Sequence, residues 1–171
     1  MGQSTFSGPV KSLAGFISAG VSNSVTTAVG ATLNVASFAG KQIYYTSTAT
    51  ATFTLPAVNT SSPSDPTDPN QSNNYGAAFE FVLSTTVTGN FIVKVANSSD
   101  TMVGTAILGS GTTALVFSTA TASDTITLSG TTTGGVGGAS VKATVIGANR
   151  YKVEVVSGAT GAVATPFSAT V

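Results

Sequence analysis

The chain has 171 residues, of which 42% are hydrophobic and only 7% are charged, so uncharged polar residues and glycine must supply most of its soluble surface. Six Lys and Arg residues balance six Asp and Glu residues with no run of either sign, which argues against binding to nucleic acid or a membrane. The sequence lacks cysteine and histidine, which excludes disulfides, thiolate ligands and the commonest general base. We therefore expect no cofactor, no metal, no small-molecule substrate and no catalytic residues.

Residues 1–39 form the first predicted element, an extended N-terminal arm. They show no sustained helical periodicity, and Lys11 is their only charge. Fully extended, such an arm could reach on the order of 115 Å, far enough to contact neighbouring subunits. The apolar stretch at 13–21 is too short to span a bilayer. The arm is more apolar than disordered linkers usually are, so we expect these residues to bind a partner: Phe6, Pro9, Val10, Leu13, Phe16 and Ile17.

Residues 40–171 form the second predicted element, a β-rich domain. Apolar and threonine residues alternate over 48–55, which predicts a half-buried strand that ends at Pro56. Tyr44 and Tyr45 precede it, and paired aromatic residues of this kind either pack in a core or stack on a sugar. Further short strands, each bounded by turn residues, are predicted at 79–83, 91–95, 106–108, 115–117 and 126–128.

A long polar stretch at 59–74 interrupts this pattern. It contains three prolines and two aspartates, which predicts an exposed, Pro-rich loop. Asp65, Asp68 and Asn70 could offer oxygen ligands to calcium, but the glycine and distal glutamate of an EF-hand loop are missing. We therefore expect a solvated loop without a metal.

The clearest hairpin lies near the end of the sequence. Apolar residues alternate over 141–145 and again over 151–155, and the residues at 146–149 supply a turn between them. Arg150, Lys152 and Glu154 alternate with the apolar set and should point outward. With no helical pattern of useful length, the strands predict an all-β fold: an antiparallel β-sandwich, jelly roll or barrel-like domain that carries the extended N-terminal arm.

Catalytic motifs are missing from this sequence. The glycine-rich run at 131–138 lacks the Lys-Ser or Lys-Thr of a phosphate-binding loop, and we interpret it as a flexible connection. A glycosidase would need two carboxylates across a cleft, and the candidates in predicted strands are Glu80, Asp124 and Glu154. Glu80 lies between two phenylalanines and is better explained as the outward side of a strand. We predict that the protein is not an enzyme.

Several segments resemble those of a known group of virion proteins. The opening Ser4-Thr5-Phe6-Ser7-Gly8-Pro9-Val10-Lys11-Ser12, followed by Gly15-Phe16, is similar to the N-terminus of small virion proteins from tailed bacteriophages, notably phages of cyanobacteria. The segments 51–57, 76–81 and 149–153 are similar to the same capsid decoration (cement) and head-fibre proteins. The Pro-rich loop after Asn59 looks like an insertion beyond the usual pattern.

The resemblance implies a β-rich structural protein, usually a homotrimer, made in the host cytoplasm and located on the exterior of the phage head. There it would bind the major capsid protein and stabilise contacts between capsid subunits. The alternative is a head-fibre or tail-fibre protein that binds a receptor, for which Tyr44, Tyr45 and the loop at 59–74 would be the adhesive residues.

Overall fold

The computed structural model describes residues 24–59 and 73–171, which form eleven strands and one four-residue helical turn. The all-β prediction is therefore confirmed. The elements in chain order are β1 Ser24–Thr27, α1 Val35–Phe38, β2 Gln42–Tyr45, β3 Ala51–Thr54, β4 Ala78–Leu83, β5 Phe91–Lys94, β6 Thr101–Ser110, β7 Thr113–Ser118, β8 Thr125–Leu128, β9 Ser140–Gly147, β10 Arg150–Gly158 and β11 Phe167–Ser168.

The strands form two sheets in a sandwich-like arrangement. One sheet has seven strands in the order β1-β2-β4-β9-β10-β6-β7, and the other has four in the order β11-β8-β5-β3. Of the nine strand pairings, four are parallel, so the sheets are mixed rather than purely antiparallel as the sequence suggested. Two of the parallel pairs arise because the chain alternates between sheets: β3 separates β2 from its partner β4, and β4 separates β3 from its partner β5.

Four aromatic side chains join the two sheets at the centre of the core. Tyr45 and Phe81 come from the seven-stranded sheet, Phe53 and Phe91 come from the four-stranded sheet, and all four are fully buried. Their ring centroids lie 5.2 to 6.1 Å apart in tilted or edge-to-face geometry. Such contacts add to the free energy of burying the rings, so this cluster is a main source of cohesion between the sheets.

The folded body includes part of the predicted arm. The strand β1 pairs in parallel with β2, and Leu33 is buried in the core. The backbone N–H of Leu33 donates to the carbonyl of Thr54 at 2.8 Å, and Asn34 caps the helical turn by accepting the N–H of Ser37. The predicted boundary after residue 39 is therefore wrong, because residues 24–39 belong to the sandwich.

Residues 1–23 lie outside the described residues. All six predicted partner-binding residues of the arm are among them: Phe6, Pro9, Val10, Leu13, Phe16 and Ile17.

The predicted hairpin is confirmed as the pair β9 and β10, which run antiparallel. The predicted inward residues of both strands are buried, whereas Arg150, Lys152 and Glu154 are exposed. Asn149 completes the turn with a φ of 56°, a left-handed conformation that asparagine tolerates better than most residues. The sequence therefore predicted both the pairing and the orientation of this hairpin.

The glycine-rich run connects β8 to β9, as the sequence predicted, and two of its glycines, Gly134 and Gly135, are buried. Gly135 is buried at a φ of 102°, its N–H donates to Ser157 Oγ at 2.7 Å, and its carbonyl accepts the N–H of Val87 at 3.0 Å. A Cβ at this position would lie 2.8 Å from the backbone nitrogen of Gly130. Glycine is required here because the connection from β8 to β9 passes close to neighbouring backbone.

Candidate interaction surface

The outer face of the seven-stranded sheet carries charged residues near its middle. Strand register places Lys142 on β9 between Glu80 on β4 and Glu154 on β10. Lys152 Nζ lies 2.8 Å from Glu154 Oε1, and this hydrogen bond and charge hold the pKa of Glu154 below its usual value. Gln42 Nε2 donates to Glu80 Oε1 at 3.2 Å. The charges on this half of the face are therefore arranged with opposite signs beside each other.

The three candidate carboxylates do not form a catalytic pair. Glu80 and Glu154 lie on an open sheet face with a lysine between them in register, whereas Asp124 is buried just before β8 in the other sheet. Within the described part of the chain, no three Asp, Glu, His or Cys side chains come close enough to hold a metal ion. Glu80 is on the outward side of β4, as its neighbours in the sequence indicated.

The two adjacent tyrosines point in opposite directions. Tyr45 is fully buried, and its hydroxyl donates to the carbonyl of Ala49 at 2.7 Å, so it is a core residue and not the adhesive residue considered above. Tyr44 lies half-buried on the outer face, and its hydroxyl donates to Gln42 Oε1 at 2.7 Å. Successive residues of a strand face opposite sides of the sheet, so only Tyr44 remains available for a surface contact.

An exposed aliphatic surface lies on the other half of this outer face, over β10, β6 and β7. We call it the aliphatic face, and its members are Val103, Ile107, Val116 and Val156. Val116 is 67% exposed, Val156 is 56% exposed and Ile107 is 47% exposed, and strand register places these three in one row. Val103 lies on the same face of β6, beside Lys152 in register, so the row of three makes this half of the face a candidate binding surface.

The sequence analysis did not identify the aliphatic face. Its signal is the continuous apolar run at 106–108 and again at 115–117, where a one-sided strand would alternate with polar residues. Both runs lie in strands, as predicted, and their second apolar side is the exposed one. On the inner side of β7, a groove of about 320 Å³ is lined by Ser110, Thr113, Leu115, Ala162 and Val163.

The base of the predicted Pro-rich loop is fixed by side-chain hydrogen bonds. Asn74 is buried, its Oδ1 accepts the N–H of Asn59 at 2.8 Å, and its Nδ2 donates to the carbonyl of Ala57 at 2.8 Å. The N–H of Asn74 also donates to the carbonyl of Asn59 at 2.8 Å. Both ends of the loop are therefore held together, whereas residues 60–72, with Asp65, Asp68 and Asn70, lie outside the described residues.

A buried carboxylate, that of Asp100, holds the backbone just before the predicted loop. Asp100 is 2% exposed, and its Oδ2 accepts the N–H of Val58 at 3.0 Å and the side-chain amide of Asn97 at 2.9 Å. Tyr151 on β10 donates its hydroxyl to the carbonyl of Pro56 at 2.7 Å. Burial raises the pKa of Tyr151, and the nearby charge of Asp100 raises it further. These hydrogen-bonded groups are structural, and they fix the segment that leads into the loop.

Asp124 anchors residues 170 and 171 to the four-stranded sheet. Its Oδ1 accepts the N–H of Thr170 at 2.8 Å and the hydroxyl of Thr125 at 2.8 Å, and its Oδ2 accepts the N–H of Val171 at 3.1 Å. Burial raises the pKa of Asp124, but these hydrogen bonds together outweigh burial and hold the pKa below its ordinary value of 3.8. Asp124 is therefore a structural carboxylate.

Replacing Asp124 with asparagine is expected to lower the free energy of unfolding at neutral pH by about 1–3 kcal/mol, because an amide donor replaces one buried acceptor. Folding lowers the pKa of Asp124, so its carboxylate stabilises the folded protein fully at any pH above the ordinary pKa of 3.8. This stabilisation is lost as the pH falls from 3.8 through the lowered pKa of the folded state. Urea unfolding at neutral pH and at about pH 3 should therefore show a smaller difference between wild type and Asp124→Asn in acid.

The control for this prediction is Glu154→Gln. Glu154 is half-exposed on the outer face, so losing its ion pair with Lys152 should change stability little at either pH. A constant difference between Asp124→Asn and wild type across the acid range would contradict the assigned role of Asp124.

Comparisons with known proteins identified no relative. No family model matches the chain, and neither a curated protein nor a solved structure matches it. Among residues 24–59 and 73–171, no helix has the length and apolar character to cross a membrane.

Proposed function

We propose that the protein is a structural virion subunit, a decoration or cement protein that binds the outer surface of a tailed-phage head and stabilises contacts between major capsid subunits. The observation that carries this proposal is the aliphatic face, a group of exposed apolar side chains on a body whose described carboxylates make ion pairs and hydrogen bonds. The sequence resemblance implies that the protein is located on the exterior of the phage head. It also implies synthesis in the host cytoplasm before attachment.

The scarcity of charge supports a binding role that tolerates changes in ionic strength. Only 7% of residues are charged, and contacts made by shape and apolar burial are screened little by salt. Repetition over many equivalent capsid sites would increase a modest affinity for each site. A protein that binds only the assembled shell stabilises it by mass action, without any catalytic group.

A decoration protein should protect the particles that carry it. We expect purified full-length chain, added to heads of the encoding phage that lack it, to bind stoichiometrically and to raise the temperature at which the heads release DNA. Cryo-electron microscopy of the reconstituted heads should then show density on the lattice between capsomers. Heads that neither bind the chain nor gain heat resistance would refute the proposal.

A second candidate is a head-fibre or tail-fibre adhesion protein. It is favoured by the predicted loop at 59–74, because Asn59 and Asn74 at its two ends are hydrogen-bonded to each other and a fixed base is suited to presenting a binding loop. Tyr44, on the outer face of the seven-stranded sheet, is the remaining aromatic candidate for an adhesive contact in this hypothesis. Binding of the isolated protein to host cells or to a glycan array, weakened by Tyr44→Ala, would favour this function over the capsid function.

A further inference from the structure

Among residues 24–59 and 73–171, no strand pairs with the outer side of β7, which is one edge of the seven-stranded sheet. The edge strand β7 is six residues long and carries neither a charged residue nor a proline. The opposite edge, β1, has four residues, and in the smaller sheet β11 has two, while β3 has four and is bridged to Thr32. Soluble proteins normally protect a long edge strand with charges, prolines or bulges, because its free backbone groups can pair with another chain.

Exposed apolar side chains continue to this edge on both sides of the sheet. On the outer side, the row formed by Val156, Ile107 and Val116 ends on β7. On the inner side, Leu115 is 44% exposed and lines the groove described above. A partner strand placed beside β7 would therefore receive backbone hydrogen bonds and apolar contacts together, which is the usual basis of recognition by strand addition.

The chemistry of this edge favours a second copy of the same chain. In a two-fold contact, each residue near the axis meets its own copy, so a charged residue there would face a like charge. The strand β7 carries no charge, and the charged residues Glu80 and Lys142 lie on strands nearer the middle of the sheet. A second copy of β7 can therefore lie beside this edge without bringing like charges together.

We propose that two copies of the chain pair through their β7 strands, antiparallel about a two-fold axis perpendicular to the sheet. Such an axis keeps the outer faces of both copies on the same side. The two seven-stranded sheets then become one continuous sheet, and the two aliphatic rows meet at the axis. This pairing does not depend on the proposed capsid function, and it differs from the homotrimer that the sequence resemblance implies.

The test is the mass of the full-length protein in solution. Light scattering coupled to size-exclusion chromatography, over a series of concentrations, should approach twice the chain mass of 16.8 kDa. We expect Val116→Lys to weaken the pairing by about tenfold or more, because each lysine would approach its own copy. Val116 is 67% exposed, so this change should leave the fold intact, which circular dichroism can verify.

Val29→Lys is the matched control. Val29 is 70% exposed and follows β1, at the opposite end of the seven-stranded sheet, so this variant should pair as the wild type does. Hydrogen exchange gives a second measurement, since the amides of 113–118 that point away from β6 should gain protection with concentration in the wild type and not in Val116→Lys. A wild-type mass of one chain or of three chains, or equal pairing by Val116→Lys, would overturn the proposal.

Discussion

Replacing Gly104 with alanine is expected to lower the free energy of unfolding by about 3 kcal/mol or more, a loss large enough to unfold a marginally stable domain. A Cβ at this position would lie 1.8 Å from the carbonyl oxygen of Val153, its partner in register on β10. The obstructing atom belongs to the backbone and cannot rotate away, so β6 must move from β10. Nine register pairs join these two strands, and β7 is attached to the sheet only through β6.

Chemical denaturation of Gly104→Ala and wild type at neutral pH measures this loss. The control is Gly147→Ala, because a Cβ at Gly147 meets no atom within 4 Å and its φ is not positive. This control should remain within about 1 kcal/mol of wild type. Equal stability of the two alanine variants would mean that β6 and β10 do not approach as closely as described.

Replacing Phe91 with alanine is expected to reduce stability by about 3–5 kcal/mol, the usual loss when a fully buried aromatic ring is removed from a packed core. Phe91 contacts Tyr45, Phe53 and Phe81, with centroid distances of 5.3, 5.3 and 5.7 Å. Its removal therefore takes one ring from each of three aromatic pairs and leaves a cavity between the sheets.

Denaturation midpoints should separate this variant from two others. Phe91→Leu retains much of the buried volume and should be destabilised less than Phe91→Ala. Tyr75→Ala removes an aromatic ring that is 61% exposed and should have little effect. If Phe91→Ala were no less stable than Tyr75→Ala, the aromatic cluster would not be the main contact between the sheets.

The strands were predictable wherever apolar and polar residues alternate, because that period reports which face of a strand is buried. The predicted strands at 91–95 and 126–128 correspond to β5 and β8, and the hairpin was correct in its pairing. Alternation contains no information about strand direction, so the parallel pairs were missed. The boundary after residue 39 was misplaced because β1 has only four residues and Leu33 enters the core from an irregular segment.

The functional residues were less predictable, for reasons specific to each. Tyr44 and Tyr45 were considered together, although adjacent residues of a strand cannot share one face. The role of Asp124 depends on the N–H groups of Thr170 and Val171, which lie far away in the sequence. The aliphatic face is assembled from three strands, and it is visible only once their register is known.

The position of β6 has a consequence for how the protein folds during synthesis. The strands β6 and β7 are synthesised as a neighbouring pair before β10, but β6 can join the sheet only after its parallel partner β10 has been made. Until then, this uncharged pair has no sheet to attach to, and contacts between residues distant in sequence form slowly. Transient association of unfinished chains through these strands is therefore expected to limit expression yield, which slower translation or lower temperature should relieve.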